Sequence, residues 1–388
     1  MNSINDLLSE YCSHGVVYKK FGEVISLTRG TRVVKNQLSP NSGFPVYQNS
    51  LKPLGYHSEY NCPKNSTFII CAGAAGEIGY STEEYWAADD CFTCKCPETI
   101  SSRYIYHVLL QNQSKLLRQV RNASIPRLSP TSIESLIVPV PPIEVQEEIV
   151  RILDSFTKLT AELTAELTAR KKQYEYYRDK LLSFNYITPE ERERIGVRWT
   201  TIRGISKSIC SGGTPLKART NYYDGTIPWL RTQEVTFNEI WSTECTISEE
   251  GLKNSAAKWI PENCVIVAIS GATAARCAIN KIPLTTNQHC CNIDVDPSLA
   301  LYRYVFHWIS SKYLDLKSKG RGAREDITAQ IVSEYPICLP SLAEQQRIVN
   351  ILDHFDALCS NISDGISVEI LARQKQYEYY RDKLLAFN

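Results

Sequence analysis

The sequence predicts an α+β fold in which two globular domains are separated by two long helices that pair as an antiparallel coiled coil. Three observations lead to this prediction. The chain is a tandem duplication, each copy ends in a helical stretch of about 40 residues, and each copy begins with short apolar runs bounded by turn residues. The duplication is considered first, because an unnoticed repeat misassigns the whole architecture.

The repeat is clearest at the end of each copy. Residues 172–185, KQYEYYRDKLLSFN, return as residues 375–388, KQYEYYRDKLLAFN, and differ only at Ser183 against Ala386. Upstream, residues 141–156 match residues 340–355 through the shared pattern QxxIVxILDxF. The chain therefore has an internal pseudo-two-fold repeat.

The repeat divides the chain into consecutive segments. They are a globular domain over 1–140, a helix over 141–185, a linker over 186–195, a second globular domain over 196–340 and a second helix over 341–388. In the globular domains, residues 44–47 resemble 227–230, and residues 103–107 match 303–307. The apolar runs predict strands at 66–72 and 264–270, and the periodicity predicts helices over 103–120 and 302–317.

Apolar side chains in both helical stretches recur every three or four residues, as they do on a helix that buries one face. They are Ile149, Ile152, Phe156, Leu159, Leu163, Leu167, Tyr174, Tyr177, Leu181 and Phe184, then Ile348, Ile351, Phe355, Leu358, Ile362, Ile366, Tyr377, Tyr380, Leu384 and Phe387. A helix of about 40 residues is on the order of 60 Å long, longer than a domain is wide. Two such stripes bury each other most simply as an antiparallel coiled coil. Gly365 is expected to weaken the second helix or to kink it.

Composition excludes several classes of protein. With 43% hydrophobic residues in 388, the chain can bury two cores. No run is long enough to span a bilayer and the first residues lack a signal-peptide pattern, so we expect a cytoplasmic protein whose 14 cysteines stay reduced. The net charge of +1 does not by itself indicate nucleic acid. Two mildly basic globular segments nevertheless alternate with two mildly acidic helical ones.

Motifs for catalysis or metal binding are weak or missing. Cys91, Cys94 and Cys96 suggest zinc, but no second CxxC or histidine pair accompanies them, and their spacing fits one face of a strand better. We find no glycine-rich turn for a methyl donor, no Asn/Asp-Pro-Pro-aromatic loop, no nucleotide P-loop and no HExxH. The glycines of residues 73–79, and their counterpart 271–276, suit a phosphate-cradling turn or simply a tight turn after a buried strand. We expect no catalysis and no metal on this chain.

The order of segments resembles the specificity subunits of type I restriction-modification systems over essentially the whole chain. The resemblance is carried by the QxxIVxILDxF blocks, the two KQYEYYRD helices, Gly212-Gly-Thr-Pro215 ahead of Ile227-Pro-Trp229, and the tandem TAEL of residues 160–167. In the first copy, Arg29-Gly-Thr31 is all that remains of the Gly-Gly-Thr-Pro pattern. That departure puts individual contacts of the first domain in doubt.

The resemblance implies a function without chemistry on this chain. Each globular domain would be a target-recognition domain for one half of a bipartite site on double-stranded DNA. The helices would hold two methyltransferase subunits and, through them, restriction subunits; S-adenosylmethionine, ATP and Mg²⁺ would act on those partners. The expected partner-binding residues are Glu175, Arg178, Glu378 and Arg381, and the expected spacer residues of the TAEL units are Thr160, Leu163, Thr164 and Leu167.

Residues for contact with DNA are expected at two places in each copy. Phosphates need lysine and arginine on one face, whereas bases are read by a few Arg, Gln, Asn or apolar groups. The basic loop after each Tyr-His helix contributes Lys115, Arg118, Arg121 and Arg127, then Lys312, Lys317, Lys319, Arg321 and Arg324. The segments after the Pro-aromatic strands contribute Tyr47, Gln48 and Asn49, then Arg231 and Gln233, with Arg276 reaching a phosphate. A merely solvated face, or aromatic residues that only cap the core, are the competing interpretations.

Two other functions fit parts of the pattern. A protein-interaction scaffold, with two binding modules on a coiled coil, agrees with the near-neutral charge. A restriction or modification enzyme with its catalytic part elsewhere agrees with the resemblance, and the missing motifs argue against catalysis here. A salt-dependent change in DNA or heparin mobility separates DNA binding from the scaffold.

Overall fold

Both long helices are shared between two units. The computed structural model describes residues 6, 10–12, 15–121, 124–320 and 326–387, and only the backbone of 359–364. Unit 1 comprises Met1–Glu166 and Gly365–Asn388, and unit 2 comprises Leu167–Asp364. Each unit thus contains one globular part, the beginning of the helix that follows it and the end of the other long helix.

The strands are short, and most of their residues are apolar or β-branched. In unit 1 they are β1 (Val17–Lys20), β2 (Ser26–Arg29), β3 (Phe44–Tyr47), β4 (Gly55–His57), β5 (Ser66–Ile70), β6 (Ile78–Ser81), β7 (Trp86–Ala87), β8 (Cys91–Lys95) and β9 (Ile137–Val140). In unit 2 they are β10 (Arg198–Thr201), β11 (Ser206–Ser211), β12 (Tyr223–Leu230), β13 (Glu239–Ile240), β14 (Thr246–Ile247), β15 (Val265–Ala268), β16 (Cys277–Asn280), β17 (Thr285–Thr286), β18 (Cys290–Val295) and β19 (Pro336–Leu339).

Two helices are much longer than the rest. The helices are α1 (Phe21–Val24), α2 (Ser102–Leu117), α3 (Pro130–Glu134), α4 (Ile143–Ser183), α5 (Pro189–Arg194), α6 (Glu249–Lys253), α7 (Tyr302–Ser311), α8 (Tyr313–Ser318), α9 (Ala329–Ser333) and α10 (Leu342–Leu384). Short 3₁₀ turns lie at Lys35–Gln37, Arg203–Ile205, Thr220–Tyr222, Thr232–Glu234 and Gly271–Thr273. The long helices α4 and α10 confirm the sequence prediction.

The globular parts of the two units repeat one sheet plan. In the described part of unit 1, one sheet has the order β2-β8-β5-β6, a second has the order β4-β3-β7, and β1 pairs with β9. In unit 2 the corresponding orders are β11-β18-β15-β16-β13, β14-β12-β17 and β10 with β19. In both units, two parallel strands meet at matching residues: Tyr47 opposes Ala87, and Leu230 opposes Thr286. This register confirms the alignment of residues 44–47 with 227–230.

The long helices run antiparallel within each unit. In unit 1, Leu385 joins the core that contains Ile149 and Leu153, and Phe156 stacks on Tyr380 with ring centroids 5.4 Å apart. Residues early in α4 therefore contact the end of α10. In unit 2, the rings of Tyr177 and Phe355 lie 6.1 Å apart, late in α4 and early in α10.

The apolar stripe is less buried than its periodicity predicts. Tyr177 and Tyr380 are 42% and 39% exposed, because a single partner helix covers only one side of a helix. Leu153 and Leu182 of α4, outside the predicted stripe, are fully buried where this helix also meets the globular core of each unit. The side chain of Ile362 lies outside the described residues.

The predicted helix over 302–317 is wrong in one respect. It breaks at Lys312 into α7 and α8, whereas the equivalent α2 is continuous. The Ser311 hydroxyl donates to the carbonyl of Trp308 at 2.7 Å, and the Lys312 amide is shared between the carbonyls of Trp308 and Ile309. Serine hydroxyls compete in this way with the regular helix bonds.

Gly365 does not break its helix, since α10 is helical from Leu342 to Leu384. A Cβ added at Gly365 would meet no atom within 4 Å. Because glycine costs a helix about 0.5–1 kcal/mol relative to alanine, we expect Gly365→Ala to raise the free energy of unfolding by that amount. Chemical denaturation of the variant and the parent checks this, and a decrease would contradict the open surroundings of Gly365.

Candidate nucleic-acid interface

In unit 2, loops that are distant in sequence meet at one end of the sheets. The amide of Asn287 donates to the carbonyl of Leu230 at 3.0 Å, and the Thr273 hydroxyl donates to the carbonyl of Thr232 at 2.9 Å. The amide of Ile269 donates to the carbonyl of His289 at 2.9 Å. These bonds join the segments after β12, β15 and β17. We call residues 212–215, 231–234, 270–276, 287–289, 319, 320 and 326 the loop face of unit 2.

In unit 1, backbone hydrogen bonds join the loops that correspond to those of unit 2. The amide of Ala88 donates to the carbonyl of Tyr47 at 2.9 Å, and the amide of Ala74 donates to the carbonyl of Asn49 at 2.9 Å. The amide of Gly73 donates to the carbonyl of Pro126 at 3.1 Å. We call residues 29–31, 47–50, 72–77, 88–90, 118–121 and 124–127 the loop face of unit 1. In unit 1, the two places expected to contact DNA thus lie together, whereas in unit 2 residues 321–325 of the expected basic loop lie outside the described residues.

One glycine in each loop face is fixed by a close approach of two backbones. A Cβ at Gly30 would overlap the carbonyl oxygens of Ala87 and Ala88, and a Cβ at Gly212 would overlap the carbonyl oxygen of Thr286, the equivalent of Ala87. Gly30 therefore occupies the position of Gly212, and Thr31 occupies that of Gly213, since their amides donate to Ala87 and Thr286. Gly73 and Gly271, with φ of 85° and 76°, turn the chain after β5 and β15. A tight turn after a buried strand accounts for these glycines.

The residues of unit 2 expected to contact DNA differ in their exposure and in how many partners they already have within the protein. Arg231 is held by Glu244 at 2.6 Å and lies 3.9 Å from Glu234, and the amide oxygen of Gln233 can accept from the same guanidinium at 3.0 Å. Arg276 is half-buried and Gln233 is exposed. Five N–H donors allow an arginine to keep such partners and still pair with a base or phosphate.

The basic residues after α7 are only partly described. Lys312 lies at the break between α7 and α8, Lys317 lies inside α8, and Lys319 follows it at 3.5 Å from Asp315. Lys317 therefore belongs to a helix rather than to the expected loop. Arg321 and Arg324 lie outside the described residues, so their contact with phosphate stays a prediction.

In unit 1, the basic residues are exposed and the aromatic residue is not. Arg118, Arg121 and Arg127 are exposed at or beyond the end of α2, and residues 121 and 127 form a β-bridge. Lys115 is also exposed but lies in the last turn of α2, where it donates to Asn112 at 2.9 Å. These side chains present positive charge on and beside one loop face.

Tyr47 packs into the core of unit 1. Its ring lies 4.6 Å from that of Phe68 and 5.6 Å from that of Tyr85, and burial raises the pKa of Tyr47 above its usual value of 10.0. The neighbouring Gln48 donates to Asp90 at 3.4 Å, and Asn49 is exposed. Gln48 and Asn49 are thus the polar groups that this segment offers to a ligand.

The loop faces also contain polar residues that the sequence analysis missed. They are Asp89 and Asp90 in unit 1, and Thr214, Gln288 and His289 in unit 2. Aligning Ala88–Cys91 with Asn287–Cys290 would have found four of them. Polar residues in a loop follow no periodic pattern, so the pattern of the sequence did not indicate them as site residues.

An ionic joint with a buried histidine and half-buried charged partners attaches each globular part to the helix that follows it. In unit 1, Asp154 of α4 accepts from Arg103 and from the Nε2 of His107, each at 2.9 Å. In unit 2, Asp353 of α10 accepts from Arg303 at 2.9 Å and His307 at 2.7 Å. The arginines and histidines of the matching segments 103–107 and 303–307 therefore have a structural role, and the two histidines orient the long helices.

The joint in unit 1 should make stability depend on pH. Burial lowers the pKa of His107 below its ordinary value of 6.5, although Asp154 opposes the shift. The unfolded chain then binds a proton that the folded chain does not, so stability is full above about pH 6.5 and is lost as the pH falls through the folded pKa. We expect the free energy of unfolding to fall between pH 7.5 and 5.5. Denaturation of His107→Gln over that range should give a shallower dependence, and an equal slope would contradict this.

A buried glutamine at the start of each long helix fixes the chain beside the joint. Gln146 accepts from the amide of Ser101 at 2.9 Å and donates to the carbonyl of Pro141 at 2.7 Å. Gln345 does the same with Leu301 and Pro340, each at 2.9 Å. The QxxIVxILDxF pattern therefore supplies two polar anchors per unit, its Gln and its Asp.

The candidate partner-binding residues divide into two kinds. Glu175 and Glu378 are exposed. The side chains of Arg178 and Arg381 are only 14% and 16% exposed, and each lies over a tyrosine of its own helix. The glutamates, rather than the arginines, are available to a partner.

An apolar groove in unit 2 includes residues of the KQYEYYRDK segment of α4. Its volume is about 280 Å³, and its lining is almost entirely apolar. The lining residues are Tyr177, Lys180, Leu181, Tyr186, Ile351 and Phe355.

The TAEL units form a regular part of α4. Thr160 and Thr164 donate to the carbonyls of Phe156 and Thr160 at 2.9 and 2.8 Å, so both hydroxyls have partners within the helix. Leu163 and Leu167 are half-buried. The TAEL sequence therefore needs no contact outside the coiled coil to be helical.

Comparison with known proteins agrees with this architecture. A family model described as "Type I restriction modification DNA specificity domain" matches residues 14–170 and again 197–372. The chain belongs to this family. Its two copies coincide with the duplication found in the sequence, and the specificity subunits of type I restriction-modification systems are the proteins that it resembles.

Individual relatives support the assignment. The chain is 41% identical over 250 residues to the EcoR124I/EcoR124II specificity subunit of Escherichia coli, covering 63% of this chain and 59% of that one. It is 28% identical to a putative type I specificity subunit of Haemophilus influenzae, covering 96% of each chain. The fold matches that of an S subunit from M. genitalium with a TM-score of 0.58 at 13% identity, covering 95% of this chain and 96% of that one.

The described residues lack two further features. They contain no group of three or more His, Cys, Asp or Glu side chains placed to hold a metal ion. Within the same residues, no helix combines the length and the hydropathy needed to cross a membrane.

Proposed function

We propose that this specificity subunit reads a bipartite target on double-stranded DNA, one half-site with each loop face. The observation that supports this most is that the same loop face is built twice by the same backbone bonds but with different side chains. For example, Glu77 of unit 1 takes the position of Arg276 in unit 2, since their carbonyls accept from Ile70 and Ala268. A constant frame with changed polar groups suits two different base sequences.

The partners of the chain follow from its two repeated helices. We propose that two methyltransferase subunits dock on the exposed surfaces around Glu175 and Glu378, because a duplicated surface suits two identical partners. Restriction subunits would join through them. The chain itself would transfer no methyl group and cleave nothing, and S-adenosylmethionine, ATP and Mg²⁺ would act on the partners in the cytoplasm.

The TAEL units are proposed as a spacer between the half-sites. The interval from Phe156 to Lys172 is four residues shorter than that from Phe355 to Lys375. Four residues are one TAEL unit, which adds about 6 Å to a helix and turns it by about 400°, leaving the apolar stripe displaced by only about 40°. A helix can therefore gain or lose one unit while its apolar face still packs.

Contact with DNA phosphates is tested by the salt dependence of binding. Arg118→Ala with Arg121→Ala should weaken binding of the assembled complex to all duplexes and lower the slope of log K against log salt by about 2. Lys19→Ala with Lys20→Ala, exposed residues of β1 outside the loop face, is the matched control. Fluorescence anisotropy measures both.

An unchanged slope in the double arginine variant would remove these residues from the interface. If the complex does not bind DNA, or if its binding does not depend on salt concentration, the protein-interaction scaffold is favoured instead. The same titration with Arg321→Ala and Arg324→Ala tests the corresponding prediction for unit 2.

A further inference from the structure

A short turn recurs in both loop faces with the same attachments. In unit 1 it follows β7, and the amide of Ala88 donates to the carbonyl of Tyr47 at 2.9 Å while the carbonyl of Asp90 accepts from Cys71 at 2.7 Å. In unit 2 it follows β17, with the bonds from Asn287 to Leu230 at 3.0 Å and from Ile269 to His289 at 2.9 Å. Residues 88–90 and 287–289 are therefore equivalent position by position.

The turn closes on itself identically in the two units. The amide of Cys91 donates to the carbonyl of Ala88 at 3.0 Å, and the amide of Cys290 donates to that of Asn287 at 3.3 Å. Both cysteines are fully buried. A turn held at both ends by a buried frame presents its middle side chains in a fixed direction, which recognition of a base requires.

The middle side chains are chemically different. Asp89 and Asp90 of unit 1 are half-exposed, and Gln288 and His289 of unit 2 are exposed. An ionised carboxylate only accepts hydrogen bonds, whereas a carboxamide both donates and accepts. A position where the two frames agree and the side-chain chemistry differs is suited to specificity.

Gln288 is held with one donor and one acceptor to spare. Its Oε1 accepts from the hydroxyl of Thr214, and its Nε2 lies 3.2 Å from the Nε2 of His289, which accepts when its proton is on Nδ1. A carboxamide has two lone pairs on oxygen and two protons on nitrogen. One of each remains, which is the pair that bonds to N6 and N7 of adenine in the major groove.

Asp89 has acceptors alone. Its backbone carbonyl accepts from the Nε of Arg29 at 2.7 Å, and its Oδ1 is buried without a hydrogen-bond partner among the described residues, so Oδ2 is the carboxylate oxygen that a base could reach. In the major groove only the amino groups of cytosine and adenine donate, and phosphates repel a carboxylate. Adenine places the N7 acceptor beside its amino group, so cytosine is the better partner for Asp89.

We propose that these two turns each read one base pair, Gln288 an adenine in one half-site and Asp89 a cytosine in the other. The inference rests on the proposed function and names two of the specificity-determining residues. Thr214 and His289 are positioning residues, because they orient the amide of Gln288.

Variants that exchange hydrogen-bond donors and acceptors on the side chains of residues 288 and 89 test the inference. The chain is expressed with its methyltransferase subunits, and methylated bases are mapped across the host DNA. Gln288→Glu replaces the spare donor by an acceptor and should change one base pair of one half-site from A·T to C·G. Asp89→Asn should make the reverse change in the other half-site. In each variant the untouched half-site is the internal control.

For Gln288→Glu, the expected size is a loss of roughly 5- to 150-fold in methylation of the original target, which is the discrimination given by a bidentate base contact. Gln288→Ala should relax the same position to several bases. If both exchange variants keep the parent motif, the turns do not read bases although the proposed function stands. If the parent chain directs no two-part motif, the proposed function fails and the inference fails with it.

Discussion

Two residues inserted after Leu167 are expected to abolish target-specific methylation, whereas a further TAEL unit there should preserve it. The helix α4 supplies fully buried leucines to both units, Leu153 to unit 1 and Leu182 to unit 2. Two residues turn a helix by about 200° and four turn it by about 400°. The short insertion therefore removes one set of leucines from its core, and each buried leucine lost costs about 2–5 kcal/mol.

The four-residue insertion should change the target in one respect. One added unit lengthens α4 by about 6 Å, so the unread gap between half-sites should grow by about one or two base pairs at 3.4 Å per pair. Both half-site sequences should stay the same, because no loop face changes. Mapping of methylated bases measures gap and half-sites together. An unchanged gap, or altered half-sites, would refute the spacer role of α4.

Removing the carboxylate of one joint is expected to cost about 2–3 kcal/mol of stability. In Asp353→Ala, Arg303 and the buried His307 lose a shared acceptor. Breaking a fully buried ion pair costs about 3–5 kcal/mol, and the side chain of Asp353 is 29% exposed, which reduces the cost. Its paired hydrogen bonds hold the pKa of Asp353 below its usual value despite burial. Denaturant unfolding should show a lower midpoint at an unchanged slope.

Asp356→Ala is the matched control for this variant. It removes the same group three residues farther along α10, from a half-buried side chain that forms no ion pair with Arg303 or His307 among the described residues. We expect its effect to stay within about 0.5 kcal/mol, as is usual for changes that break no buried interaction. Equal losses in the two variants would mean that α10 simply needs its negative charges.

The fold was largely predictable because the duplication compares the chain with itself. Matching blocks at residues 141–156 and 340–355 located both long helices, and both structural units repeat one sheet plan. The periodicity predicted which residues form the apolar stripe but not how deeply each of them is buried. A pattern does not indicate whether a helix packs on another helix alone or also on a globular core, so Leu153 and Leu182 were missed.

The candidate site was predictable only in part. Basic residues near the end of α2 and polar residues after β3 were found, but their meeting depends on backbone bonds such as that from Ala74 to Asn49. No local pattern encodes such a contact between distant loops. The same limit applies to Gln288, whose remaining bonding capacity becomes apparent only when Thr214 and His289 are placed beside it.

The central claim, that the two units read two parts of one target, is tested most directly by mapping methylated bases in DNA from cells that express the methyltransferase subunits with and without this chain. We expect a motif of two fixed sequences separated by a gap of constant length, present only when the chain is present. A single uninterrupted motif, or the same motif without the chain, would contradict it.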